Sequence, residues 1–274
     1  MTEAQQTRWT APEGPLGRLT ALAGVRAATA RGNRRELERQ LVGILAAPSL
    51  RAALSGPHVA VIAELKRRSP SKGVLDASLD AGARAVDYAR GGAAALSVVT
   101  EPSEFGGSLD DLAAARRAVA VPLLRKDFIV DEVQLLEARV AGASAVLLIA
   151  RALSPDRFLA LANAARAMGL DVLLEVRDET ELNRALGVPD AVIGVNNRNL
   201  ETLKIDDSVS ARLLRLIPPA RIAVYESGIS DAEGVRRAGE LGADAVLVGS
   251  ALSVAASGAD AVRALTGMPR SARG

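Results

Sequence analysis

The chain contains no cysteine, which excludes disulfides, thiolate metal sites and a thiol nucleophile. It has one histidine, His58, so a histidine metal cluster cannot form, and Ser-His-Asp or Cys-His catalysis would require that residue as the base. Six aromatic residues among 274 are too few for a base-stacking surface that holds single-stranded nucleic acid. No apolar run reaches the ~18 residues of a membrane span. The N-terminus, MTEAQQTRWTAPEGPLGR, lacks the basic-then-apolar layout of a signal peptide, so a cytoplasmic location is the expectation. Acid-base chemistry must therefore fall to Lys, Glu, Asp, Arg or Tyr.

Charge of one sign is also scarce. The chain carries 34 basic and 32 acidic residues, a net +2, which makes no case for nucleic acid and leaves room for a local anion site. Only four of the basic residues are lysines: Lys66, Lys72, Lys126 and Lys204. Arginine solvates a surface as well as lysine does, but only lysine readily changes protonation state, so each of the four is a candidate.

Short apolar runs alternate with amphipathic ones. Eight runs read as buried strands: 59–65, 95–100, 121–126, 145–150, 171–176, 191–196, 221–226 and 245–250. Most are apolar at consecutive positions, as parallel strands covered on both faces require. Helical patterns at 108–119, 130–142, 154–169 and 230–242 lie between them, several opening at Ser or Asp and closing at Gly. Gly142-Ala-Ser-Ala-Val-Leu-Leu148 and Gly242-Ala-Asp-Ala-Val-Leu-Val248 are near copies, and Gly92-Ala-Ala-Ala-Leu-Ser97 is a looser third. In each, the glycine ends a helix before a tight turn into the next strand. Eight such units predict an α/β fold, a (β/α)8 barrel, in preference to a doubly wound sheet, because no composition break divides the chain. Residues 1–57 precede the barrel, which is expected over 58–268. A helix is expected over Arg31–Ile44 (RGNRRELERQLVGI), and residues 1–14 are expected to fray.

In a barrel, chemistry gathers at the C-terminal ends of the strands. The polar residues there are Glu64 and Lys66; Thr100 and Glu101; Lys126 and Asp127; Arg151; Glu175 and Arg177; Asn196, Asn197 and Arg198; Glu226, Ser227 and Gly228; and Gly249 and Ser250. Glu64 and Lys66 are two apart and so share one face of the first strand. Two glycine-containing strand ends, Ser227-Gly228 and Gly249-Ser250, suit a phosphate held by backbone N–H groups. His58, before the first strand, reads as a surface or satisfied histidine.

Six words, IAELKRRSPSKG (62–73), LLRKDFIVDEVQLLEARVAGASAVLLI (123–149), LLEVRDETEL (173–182), IGVNNRNLETLKID (193–206), ESGI (226–229) and VLVGSAL (246–252), together resemble the indole-3-glycerol phosphate synthase family over about residues 48–253. The resemblance implies a barrel with an N-terminal helical extension, residues 1–57, near the catalytic face. It implies closure of a pyrrole ring in 1-(2-carboxyphenylamino)-1-deoxyribulose 5-phosphate with loss of CO2 and water, in tryptophan biosynthesis. It implies no metal and no organic cofactor, and its partner is the small phosphorylated substrate rather than nucleic acid or membrane. Contact with other enzymes of the pathway is not readable from the chain.

By that resemblance Lys126 is the general acid of ring closure. Lys66 either pairs with the anthranilate carboxylate or acts as acid in the dehydration. Glu64 is the general base and Glu175 a second acid-base or iminium-stabilising carboxylate. Asn196 hydrogen-bonds the reacting portion, and Arg198 orients the carboxylate. Ser69, Ser227, Gly228, Gly249 and Ser250 bind the substrate at its phosphate end, Leu247 is a further substrate contact, and Phe105 and Phe128 wall the anthranilate ring. Asp127 is expected to be a structural partner of the loop that follows it. The chemistry agrees with such a set: closure needs an acid at the ketone oxygen, dehydration needs an acid and a base, and the iminium formed by closure is itself the electron sink for decarboxylation.

The chain departs from the family pattern at Glu132-Val133, at Ala143-Ser144-Ala145 and in LDASLDAGARAV (75–86), which leaves housekeeping and pathway-specific roles both open. Three alternatives stand beside the synthase. Phosphoribosylanthranilate isomerase resembles a Cys/Asp acid-base system, and this chain has no cysteine. A ribulose- or orotidine-phosphate decarboxylase would need an Asp-x-Lys-x-x-Asp word that is absent. A non-catalytic phosphate-binding barrel, acting as scaffold or regulator, would have no use for Glu64, Lys66, Lys126 and Glu175. Glu64 and Lys66 alone would also suit an ion pair that closes the barrel, although burying such a pair stabilises weakly.

Overall fold

A computed structural model describes residues 9–273. Its eight longer strands, β1 (Ala60–Leu65), β2 (Ala95–Val99), β3 (Leu123–Lys126), β4 (Ala145–Ile149), β5 (Asp171–Val176), β6 (Val192–Asn196), β7 (Ala223–Glu226) and β8 (Ala245–Val248), pair in parallel with their chain neighbours. The barrel closes where β1 pairs with β8, Ala60 opposite Ala245, and Ile62 of the same strand lies opposite Ala95 of β2. All eight expected strands are present, and the closed barrel excludes the doubly wound sheet. The strands are buried on both faces, which is why they read as continuous apolar runs. Among the described residues no helix is long and apolar enough to cross a membrane.

Helices α4 (Ala81–Arg90), α5 (Leu109–Ala118), α6 (Glu132–Val140), α7 (Pro155–Ala167), α8 (Glu179–Leu186), α9 (Ser208–Leu213) and α10 (Ala232–Glu240) follow β1 to β7 in turn, and the short α11 (Ser250–Ser253) and α12 (Gly258–Arg263) follow β8. Asp80, Ser108, Asp131, Ser154, Asp178 and Asp231 cap their helices with side-chain oxygens. The repeated Gly-Ala word has a physical job. Gly92, Gly142 and Gly242 all have φ near +90°, and the next residue's N–H reaches back to a helical carbonyl, as in Ala143 to Ala138 at 2.9 Å. Two residues after the glycine, Ser144 Oγ accepts from Leu123 N at 3.2 Å and Asp244 Oδ2 accepts from Ala223 N at 2.8 Å. In these two copies the variable position of the word thus ties its strand to the start of the strand before it. Ser144 does this work as Asp244 does.

The N-terminal segment differs from its expectation. Of the helix expected over 31–44 only α2 (Arg34–Gln40) forms, after a turn at Gly32-Asn33, while a longer helix, α1 (Gly14–Arg31), ends where the expected one was to begin. The long α1 hides in the sequence because its buried stripe is Leu16, Leu19, Ala23 and Ala27, while the larger Leu22 and Val25 face out. Part of the segment expected to fray is anchored: Trp9 Nε1 donates to Arg151 O, and Arg151 Nη1 donates to Thr10 O at 2.7 Å. Residues 1–8 lie outside the described residues. Helix α1 crosses the C-terminal rim of the barrel, where Arg26 meets Asp127 at 2.8 Å and Leu16 N donates to Leu200 O. The short α3 (Leu50–Ala53) sits at the opposite end, its cap Ser49 donating to Asp171 at the start of β5. Also at that end, Val59 N donates to Met268 O and Arg270 pairs with Asp244. His58 is exposed there and forms a bridge to Pro269.

Gly142→Ala would place a methyl group at φ +88° and into the stem of Arg116. It should lower stability by about 1–2 kcal/mol, read as a fall in the urea midpoint with an unchanged slope.

Candidate active site

Residue alternation along β1 sends Glu64 and Lys66 into the mouth of the barrel. Glu64 is buried. Its Oε1 accepts from Lys66 Nζ at 2.6 Å, and its Oε2 stands 3.7 Å from Lys126 Nζ at the end of β3. One carboxylate thus bridges the two lysines. The next inward carboxylates are Glu175, from β5, and Glu226, from β7, both buried. Asn196, from β6, accepts through Oδ1 from Arg198 N and from Ser227 Oγ, each at 2.9 Å. A Cβ at Gly194 would overlap Glu226 Oε1, so the bare backbone of β6 is what lets that carboxyl lie across it.

The electrostatics follow from the ionisable groups gathered in one mouth, above all Glu64, Lys66, Lys126, Glu175 and Glu226. Burial pushes Glu64 up, but Lys66 and Lys126 outweigh it and hold the carboxyl below its ordinary range. Burial works against the Lys126 ammonium, yet Glu64, Glu226 and Glu175 raise its pKa, so it is protonated at any working pH. Glu175 moves the other way: burial raises it more than Lys126 lowers it. Glu226 is pushed up to about 8 by burial and by the neighbouring Glu175 charge. Neither oxygen of Glu226, nor Glu175 Oε2, has a hydrogen-bond partner among the described residues.

Supporting groups fix the rim. Asp127 Oδ2 accepts from Thr100 Oγ1 at 2.8 Å and Arg125 Nη2 at 3.0 Å, while Oδ1 accepts from Phe128 N and Arg26 Nη2, each at 2.8 Å. It does hold the following loop, and it also clamps α1. Glu101 accepts from the backbone N–H groups of Glu104 and Phe105 and so places the Phe105 ring, whose centroid lies 6.4 Å from that of Phe128.

All fourteen residues expected in the site line one cavity of about 450 Å3: Glu64, Lys66, Lys126, Glu175 and Asn196; Phe105 and Phe128; Arg198; and Ser69, Ser227, Gly228, Leu247, Gly249 and Ser250. Phe105, Phe128, Leu147, Ile149 and Leu200 form its apolar side. At the other side the chain turns through Ser227 (φ 67°) and Gly228 (φ 97°), and the N–H groups of Gly228, Gly249 and Ser250 donate to no acceptor among the described residues. Such a backbone nest suits an anion. A Cβ on Gly249 would overlap Glu64 Oε1 and approach Lys66 Nζ, so this glycine also makes room for the ion pair.

Sequence reasoning gave no role to Glu226, although it opens the word that contains Ser227 and Gly228. It missed the α1 residues Pro15, Leu16 and Leu19, which line the cavity, and no local pattern pointed to them. Arg151 and Arg177 lie apart from the main mouth, in a neighbouring cavity of about 240 Å3, where Arg151 pairs with Glu201 at 2.9 Å.

Comparison with known proteins agrees with this geometry. The family model described as indole-3-glycerol phosphate synthase matches residues 21–265. The indole-3-glycerol phosphate synthase of Nocardioides sp. is 51% identical over 221 residues, covering 81% of this chain and 84% of that protein. The protein named indole-3-glycerol phosphate synthase 2 in Streptomyces coelicolor is 47% identical over 242 residues, covering 86% of this chain and 94% of that protein. Among solved structures, 3-hexulose-6-phosphate synthase from Salmonella typhimurium superposes with a TM-score of 0.60 at 17% identity, over 76% of this chain and 96% of that one. That likeness concerns the fold alone.

The raised pKa of Glu226 has a consequence for stability. A carboxyl with a higher pKa when folded binds its proton more tightly in the native state, so its contribution is full below about pH 4.5 and is lost as pH rises to about 8. Glu226→Gln should remove that decline. Melting temperatures of the two proteins measured from pH 5 to 9 should diverge, the variant being the more stable at the alkaline end.

Proposed function

The chain belongs to the indole-3-glycerol phosphate synthase family, and from that membership we infer that it converts 1-(2-carboxyphenylamino)-1-deoxyribulose 5-phosphate to indole-3-glycerol phosphate, CO2 and water. It is a carboxy-lyase acting on a small phosphorylated substrate. Residues 1–57 serve as a helical extension to a catalytic barrel over 58–268. The observation that carries the site assignment is the single carboxylate, Glu64, shared by Lys66 and Lys126 beside two carboxyls whose pKa values are raised.

The phosphate seats on the N–H groups of Gly228, Gly249 and Ser250, with Ser69 and Ser227 beside them and Leu247 beneath. The anthranilate ring lies between Phe105 and Phe128. The ring carbon that bears the carboxylate attacks the ketone carbon, and the Lys126 ammonium gives its proton to the ketone oxygen, which becomes a hydroxyl. The C–CO2 bond then breaks, and its electron pair neutralises the iminium nitrogen. In dehydration the hydroxyl leaves as water after accepting a proton from Lys66, and a carboxylate removes the hydrogen from the adjacent carbon. Glu175 suits this base role better than Glu64, because a raised pKa makes a stronger base, whereas Glu64 is held ionised and weakly basic between two lysines. Glu64 then acts by fixing both ammonium groups. Arg198 faces the departing carboxylate, and Asn196 orients the hydroxyl through the Ser227 side.

Turnover of the carboxyphenylamino substrate, followed by indole absorbance, tests the reading. Lys126→Met should lower kcat by about 10²–10⁴-fold with far less change in KM. Lys126→Arg should not restore it, because a planar guanidinium fork places its donors differently from a compact ammonium. Near-normal kcat in Lys126→Arg would remove the acid role.

A further inference from the structure

The proposed phosphate seat has a shortage of positive charge. A phosphate ester carries close to two negative charges at neutral pH, whereas backbone N–H groups present only partial ones. Four cationic residues line the cavity: Lys66, Lys72, Lys126 and Arg198. Lys66 and Lys126 both face Glu64, and Arg198 Nη1 donates to Leu203 O at 2.9 Å. The Lys72 ammonium has neither an ion pair nor a hydrogen bond among the described residues. Lys72 sits in the turn of a small hairpin, Arg68–Ser69 paired with Gly73–Val74, in which Ser69 lies opposite Gly73. Lys72 N donates to Ser69 Oγ and to Ser69 O, each at 3.3 Å. Ser69 is itself buried and faces the cavity. The hydroxyl expected at the phosphate and the residue with the uncommitted ammonium are therefore joined by one hydrogen bond, and a lysine stem spans the distance from that turn to an anion beside Ser69.

We propose that Lys72 is the counter-charge of the substrate phosphate, supplied by the hairpin after β1, and that it makes the site select a phosphate dianion over an uncharged sugar end. This rests on the synthase reading for the identity of the ligand but not for the existence of the anion site. The lysines of the mouth thus have separate roles. Two are tied to the carboxylate that governs proton transfer, and one is left for binding. Arg68, on the same hairpin, is exposed and does not line the cavity, so it provides a control of equal charge.

The test uses the full chain and two probes, inorganic phosphate by calorimetric titration and the carboxyphenylamino substrate by turnover. Lys72→Met should weaken phosphate binding and raise KM by about fivefold each, the effect of one partly exposed charged contact, with kcat within twofold. Lys72→Arg should keep most of the affinity, and Arg68→Met should change neither quantity. High salt should narrow the gap between wild type and Lys72→Met. Unchanged phosphate affinity in Lys72→Met at low salt would overturn the proposal, as would an equal loss in Arg68→Met, which would mean general surface charge. If the wild type bound phosphate in a Lys72-dependent way without turning the substrate over, the synthase reading would fall while this site stood.

Discussion

Everything at the rim depends on one constraint, that charges buried together must nearly cancel. Three carboxyls, Glu64, Glu175 and Glu226, face two ammonium groups, Lys66 and Lys126. Within this cluster the carboxyls outnumber the ammonium groups, with Arg198 the next cation along the cavity wall, and ionised carboxyls buried side by side repel one another. The raised pKa of Glu226, about 8, relieves that repulsion beside Glu175. The lowered pKa of Glu64, the raised pKa of Lys126 and the upward shift of Glu175 are aspects of the same balance.

Such a balance needs side chains that cannot drift, and the scaffold supplies them from neighbouring strands. Glu64 and Lys66 come from β1 and Lys126 from β3, while Asp127, next to Lys126, is held at once by Thr100, Arg125, Arg26 and the Phe128 backbone. The Arg26 contact makes α1 part of the catalytic rim, since the same helix brings Leu16 and Leu19 over the cavity. The substrate mouth is therefore a joint product of the barrel and of the segment that precedes it.

How much of this was legible in the sequence depends on the range of the interactions. The strands were legible because burial on both faces leaves an apolar run, and the helix ends because glycine marks each left-handed turn, as at Gly142 and Gly242. Of the fourteen residues that line the cavity as expected, thirteen stand in the six resembling words and Phe105 lies outside them. Helix α1 was not, since small alanines occupy its buried face and Leu22 and Val25 its exposed one. Its role follows from contacts about a hundred residues away, such as Arg26 to Asp127, and no local pattern encodes them. Glu226 escaped for a related reason: its special state comes from Glu175 on another strand and from the missing side chain of Gly194 on a third.

Polarity across the mouth fixes the direction in which a substrate can lie. Phe105, Phe128, Leu147, Ile149 and Leu200 stand on one side, and the backbone nest of Gly228, Gly249 and Ser250 on the other. A molecule with an aromatic ring at one end and a phosphate at the other gains from both sides in only one orientation, because reversing it would bury a dianion among apolar side chains. Glu64, Lys66 and Lys126 line the same cavity. The tying of Gly249 to the ion pair has further meaning here. Gly249, whose N–H belongs to that nest, also leaves the space in which Glu64 and Lys66 meet, so the nest and the ion pair share one point of the backbone. A bulkier residue there would disturb both together.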